Sequence, residues 1–267
     1  KFFKGNKMNY KLSICLPAHR TYLWERLYNS INYSIGDEFS WELVLVGPND
    51  PPPFFENKKN FKFFKDYGSP SRAFQISLTL AEGELVTWAS DDGFYTKDSL
   101  KLCIKMHDEQ NLGFKDIVIA RHVEGRNHGG KQEPNEFWNA WHHPTLRLGG
   151  IPEDYYIILN GMMKLDYLRE LGGIDCIYEN YNMNLHDLAF RTQRAGSKLY
   201  FSPTTVLNCD WNPNQGDHKP VATAHADHDM PLFNKLMANP QPDRIKIDLF
   251  NWTKSDKVWK RRFGDMK

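Results

Sequence analysis

A chain of 267 residues is long enough to bury the core of one large α/β domain, and 40% hydrophobic residues with 25% charged residues of mixed sign exclude a disordered chain. The formal net charge of +1 lacks the basic surplus with which proteins hold nucleic acid through its phosphates, so no nucleic-acid partner is expected. No apolar run reaches the roughly 18 residues of a spanning helix, and the polar opening Lys1 to Lys11 has no signal-peptide core, so no membrane-spanning segment is expected.

Leu12 to Leu16 predicts a buried strand that opens into a loop at Pro17, with a helix from about Leu23 to Ile35. Trp41 to Val46 predicts a second strand, stopped by Gly47-Pro48-Asn49-Asp50 and the prolines 51–53. Phe61 to Phe64 reads as a strand, Ser69 to Ala81 as a helix and Glu84 to Ala89 as a fourth strand that runs into Ser90-Asp91-Asp92-Gly93. Strands alternating with helices predict βαβ units and a mostly parallel sheet, with ligands gathered beyond the carboxyl ends of the strands. A helix over Asp98 to Asp108 and a strand over Asp116 to Arg121 follow, and periodicity is then lost from Glu124 to Pro152. Tyr155 to Leu159 predicts a strand, Met163 to Leu171 and Asn184 to Ala195 helices, Lys198 to Phe201 a last short strand, and Pro231 to Met237 a helix in a tail rich in His and Asp. The cysteines Cys15, Cys103, Cys176 and Cys209 form no Cys-x-x-Cys pair, which points away from a zinc knuckle and toward a reducing, cytoplasmic setting.

Two stretches carry chemistry. Thr87-Trp88-Ala89-Ser90-Asp91-Asp92-Gly93-Phe94 places adjacent carboxylates at a strand end, where oxygen ligands suit Mg²⁺ or Mn²⁺ and the ion in turn bridges a diphosphate. A helix cap or an Asp-Gly turn explains the same residues without a ligand. Gly125-Arg126-Asn127-His128-Gly129-Gly130-Lys131 fits the start of a phosphate-binding loop, but Gln132 stands where Ser or Thr would hold Mg²⁺, and Glu133-Pro134 opens a helix poorly. His142-His143 is no metal pair, because chain neighbours seldom face one ion.

The run Gln75 to Glu84, the strand after it and the paired aspartates together resemble the donor-binding half of family 2 glycosyltransferases. The first strand with Pro17, the segment Leu171-Gly172-Gly173-Ile174-Asp175 and the motif His186-Asp187-Leu188-Ala189-Phe190-Arg191 resemble further parts of that family in the same order, over residues 12 to 202. The resemblance implies a GT-A type fold: a catalytic domain over 12–206, its nucleotide-sugar half 12–110 and its acceptor half 111–206, with 1–11 as an extension and 207–267 as a tail near the active site. It implies a sugar transferred from a nucleoside diphosphate to an acceptor hydroxyl, with inversion and with Mn²⁺ or Mg²⁺.

Under that resemblance Asp92 and Asp91 hold the metal, Asp187 is the catalytic base, and Pro17 and Asp91 belong to the donor site. Where the family has Asp-Asp-Gly after its second strand, this chain offers Asn49 or Asp50 for the nucleobase. Arg72 either meets a phosphate or caps its helix. Among the tail histidines His218, His225 and His228, the first is the expected metal ligand, and a polar surface is the alternative for all three. For Asp187 the alternative is a helix-start aspartate paired with Arg191. The competing functions are a non-catalytic nucleotide- or carbohydrate-binding protein on the same fold and a sugar-phosphate nucleotidyltransferase.

Overall fold

The computed structural model describes residues 10–124, 155–210, 218–238 and 244–266. Residues 125–154, which include the loop 125–131 and His142-His143, lie outside the described residues.

The first half follows the expected alternation: β1 (Tyr10–Pro17), α1 (Thr21–Ile35), β2 (Trp41–Gly47), β3 (Phe61–Lys65), α2 (Pro70–Leu80), β4 (Gly83–Trp88), β5 (Gly93–Tyr95) and α3 (Ser99–Glu109). The second half holds β6 (Ile117–Glu124), β7 (Gly161–Lys164), α4 (Leu165–Glu170), α5 (Tyr181–Arg194) and β8 (Leu199–Cys209), then α6 (Lys219–Ala224), α7 (Met230–Ala238) and α8 (Lys260–Phe263). One sheet takes all eight strands in the order β3-β2-β1-β4-β7-β6-β8-β5. The β3-β2-β1-β4 half is parallel throughout, β7 runs antiparallel to both its neighbours, and β6 and β8 pair in parallel.

The strands read as continuous apolar runs because both faces of the sheet are covered. Leu12, Ile14 and Leu16 pack with Trp24, Leu27 and Ile31 of α1 and with Leu100 and Ile104 of α3. Cys15, on the opposite side of the pleat, packs with Phe74 and Leu78 of α2, in a core that continues to Leu168, Leu188 and Phe233. Ser69 caps α2 by accepting the Arg72 N–H, and Pro70 supplies the fixed φ of the first turn. Asn180 does the same for α5 by accepting the Asn182 N–H at 2.6 Å.

Three elements differ from the sequence reading. The ladder strand is Gly161–Lys164, not Tyr155 to Leu159, although Tyr155, Ile157 and Ile158 are buried. Met162 and Met163 carry no β-branched signal, so the neighbouring Tyr-Tyr-Ile-Ile run looked more strand-like. β5 is too short to show a period, and β8 continues to Cys209, past the expected domain edge at residue 206. Gly172 and Gly173 have φ of +86° and +71°, and a Cβ on them would lie 2.0 Å from the Ile247 carbonyl oxygen and 2.3 Å from Gln75 Oε1. Only glycine satisfies both the left-handed backbone and this close approach of the tail and α2.

Order β2-β1-β4 means that the chain leaves β1 toward one side and later returns on the other. The crevice between the carboxyl ends of β1 and β4 is the switch point at which α/β sheets bind ligands.

Candidate active site

Asp91 stands at that switch point and closes the turn after β1. Its carboxylate accepts the backbone N–H groups of His19 and Arg20, each at 2.6 Å, and Arg20 Nε–H at 2.8 Å. Burial works to raise its pKa, but the Arg20 charge and the two amides outweigh burial and leave it below the usual carboxylate range. Asp91 is therefore fully occupied in holding His19 and Arg20.

Asp92, one residue on, has the opposite electrostatics. Burial and the adjacent Asp91 charge raise its pKa against the pull of Arg20, and its Oδ1 is a buried acceptor with no hydrogen-bond partner. Arg20 ties the cluster together: Nη1 lies 3.2 Å from Asp92 Oδ2 and 3.1 Å from His218 Nε2, and Nη2 donates to Ser90 Oγ at 3.2 Å. His218, brought in from the tail ahead of α6, sits 3.9 Å from Asp92 Oδ2. The open Oδ1 and the nearby imidazole are the oxygen and nitrogen donors that Mn²⁺ or Mg²⁺ accepts, so Asp92 and His218 fit two ligands of such an ion. Among the described residues no group of three or more ligating side chains gathers.

The cluster opens into a cavity of about 410 Å³, within the size range of small-molecule sites. Pro17 to Arg20, Val46 to Pro48 and Asp66 with Gly68 line it from the ends of β1, β2 and β3, and Trp88 to Asp92 from the end of β4. Asn180, Asn182 and Leu185 of the α5 start, Val221, Ala222 and His225 of the tail, and Trp259, Arg262 and Phe263 at α8 also line it, as do His122, Asn160 and His218. A Cβ on Gly47 would fall 1.7 Å from the Ala18 carbonyl oxygen, so glycine lets the β1 and β2 exits meet at this rim. The α8 segment is held there by Trp259 N–H to the Tyr67 carbonyl, and the Phe263 ring lies 5.9 Å from His19.

Of the expected site residues, the structure brings together Pro17, Asp91, Asp92 and His218. Asn49 lies behind the rim, where its Nδ2 donates to the His19 carbonyl at 2.8 Å, and it supports the loop instead of lining the cavity. Asp50 is exposed and paired with Lys65 at 2.8 Å, outside the cavity, so it offers no base contact there. Arg72 is buried and spent on the Asp66 carboxylate and the Trp252 carbonyl, which leaves it unable to meet a phosphate.

Asp187 requires the largest correction. It is 0% exposed; Oδ2 accepts Arg191 Nε–H at 2.7 Å and Oδ1 accepts Arg244 at 3.1 and 3.2 Å. Arg191 continues to the carbonyls of Leu171 and Gly173, so the pair pins the Gly-Gly turn. A carboxylate saturated by two guanidinium groups and sealed from the cavity does not fit a general base, and the alternative of an aspartate paired with Arg191 describes its surroundings. Asp175 binds the same Arg244, and Glu179 binds Arg261 and Trp259 Nε1. From the start of α5 it is Asn180, Asn182 and Leu185 that face the cavity. Sequence reasoning missed Arg20 and the α8 residues. Arg20 sits just past the first strand and its proline, but its role depends on Asp91, 71 residues away.

The sheet and its flanking helices make an α/β fold of the GT-A type. No protein-family model and no curated protein sequence matches the chain. Among solved structures it is similar to S. aureus TarS: the complex of TarS 1-349 with UDP-GlcNAc aligns at TM-score 0.54 and 15% identity, over 91% of this chain and 72% of that one. TarS 1-349 alone aligns at 0.53 and 17%, over 85% and 69%. Against the longer TarS structure, at 0.53 and 14%, the match covers 88% of this chain but only 41% of that one.

Proposed function

We propose that the chain is a glycosyltransferase that moves a sugar from a uridine-diphosphate donor to an acceptor hydroxyl, with inversion at the anomeric carbon. The observation that carries this reading is the Arg20–Asp91–Asp92–His218 cluster facing a 410 Å³ cavity at the sheet's switch point. The fold's likeness to TarS, solved with UDP and with UDP-GlcNAc, supports uridine as the base and N-acetylglucosamine as the first sugar to test.

The roles follow from the chemistry. Asp91 fixes the β1 exit so that the His19 and Arg20 side chains stand over the donor. Arg20 and Arg262 supply positive charge where the diphosphate departs. Asp92 and His218 would hold a divalent ion, which when bound offsets charge developing on the leaving diphosphate. Thermal-shift and calorimetric titration with UDP, UDP-GlcNAc, ADP and GDP, with and without Mn²⁺, tests the donor reading. Stabilisation by the uridine nucleotides, strengthened by Mn²⁺, is expected; no shift with any nucleotide removes the reading.

The burial of Asp187 favours a second reading, a non-catalytic nucleotide-sugar binder, because no carboxylate of α5 reaches the cavity. Release of UDP from UDP-GlcNAc separates the two.

A further inference from the structure

An inverting displacement needs a group on the acceptor side of the cavity that takes the hydroxyl proton. Among the described residues, the carboxylates in the lining are committed: Asp66 to Arg72, Asp91 to the His19–Arg20 turn, and Asp92 to Arg20 and the proposed ion. The α5 start contributes Asn180, Asn182 and Leu185, of which none is a base at neutral pH.

We propose that His225 is the general base, an assignment that rests on the glycosyltransferase reading. It lines the cavity beside the α5 start and is only partly buried; its Nδ1 is a buried nitrogen with no hydrogen-bond partner, which leaves Nε2 as the atom to take the proton. His225 opens the π-helical turn His225–Asp229 between α6 and α7, and such turns are rare and gather at functional sites. The far end of the turn is anchored: Asp229, 0% exposed, accepts the N–H groups of Glu179 at 2.9 Å and Asn180 at 2.7 Å. The residue that caps α5 is thereby tied to the turn that carries His225, so the imidazole is held in the same wall as Asn182 and Leu185.

In the step, the neutral imidazole removes the proton of the acceptor hydroxyl while its oxygen bonds to the anomeric carbon. The carbon–oxygen bond to the diphosphate breaks, its electron pair leaves with UDP, and the imidazolium later gives the proton to water.

The test uses the whole chain with UDP-GlcNAc, and with water and a panel of methyl glycosides as acceptors, following UDP release. His225→Gln is expected to lower turnover by about 10²-fold or more while UDP affinity by calorimetry stays within about twofold. Added imidazole is expected to restore turnover to His225→Ala, an effect that a purely structural role would not give. His225→Gln at the parent rate, or a comparable loss in a Gln variant of His122, which also lines the cavity, with His225→Gln unaffected, overturns the assignment. A parent chain that binds UDP but never releases it from UDP-GlcNAc overturns the transferase reading, and this assignment with it.

Discussion

Asp91 and Asp92 are chemically identical neighbours whose environments drive their pKa values in opposite directions, and that difference separates their tasks. Asp91 has its charge stabilised by Arg20 and two amides, so Asp91→Asn is expected to cost about 3 kcal/mol in urea unfolding, the scale of breaking a buried pair. Asp92 is strained as an anion by burial and by Asp91, so Asp92→Asn is expected to keep or raise stability while abolishing the Mn²⁺ enhancement of UDP binding in calorimetry. Equal destabilisation by the two variants would contradict the division. The strand followed by Asp-Asp-Gly was enough to place this pair in the sequence. Their division of labour was not legible, because it is set by Arg20 and His218, groups contributed from far along the chain.

At the scale of elements, α5 shows why a motif can be located correctly and given the wrong task. Asp187 and Arg191 lie four residues apart, one turn of helix, and the same spacing serves a base near a ligand or an internal ion pair. What decides is which face of α5 meets the cavity: Asn182 and Leu185 do and Asp187 does not, in a helix that starts at Tyr181, three residues before the expected Asn184. Polar residues in the first turn hid the true start from the hydrophobic period. Arg244 adds the second clamp from the tail. Asp187→Asn should then lower stability by about 3 kcal/mol while UDP affinity is kept, and Arg244→Met by on the order of 2 kcal/mol because that side is partly solvated. Urea unfolding with calorimetry checks both; a stable Asp187→Asn chain with lost turnover would return Asp187 to a catalytic role. The alternating βαβ half was legible almost residue by residue, since both sheet faces are buried. The π-turn and α8 were not, because the first is tied to Glu179 and Asn180 and the second to Tyr67, residues far away along the chain.

The whole molecule carries a pH dependence in its buried histidines, of which His186 is the most strongly shifted. His186 is 2% exposed, and burial with the nearby His225 lowers its pKa from the ordinary 6.5 to about 4. The unfolded chain takes up this proton near pH 6.5, whereas the folded chain resists it down to about 4, so stability is full above about 6.5 and falls as pH drops between them. The loss attributable to this one group approaches about 3 kcal/mol at the acid end. Urea midpoints measured from pH 7.5 to 4.5 are expected to fall, and to fall less steeply in His186→Gln; identical slopes would remove His186 as the cause. No helix among the described residues is long and apolar enough to cross a membrane.

Arg20 has a further consequence for the order in which ligands enter. With a guanidinium nitrogen 3.2 Å from Asp92 and 3.1 Å from His218, the chain already keeps a cation of its own between the two proposed ligands. Arg20 would therefore have to leave Asp92 and His218 before they could hold a divalent ion, and its departure is cheap only when it finds another anion. A donor diphosphate would be such an anion, so under the proposed function ion and nucleotide would enter by exchange. Mn²⁺ alone should bind weakly, UDP alone moderately, and each should tighten the other by the same factor, as reciprocal linkage requires. Arg20→Gln should raise the affinity for Mn²⁺ alone while weakening that for UDP; calorimetry showing both weakened together would mean that the arginine assists the ion and does not compete with it.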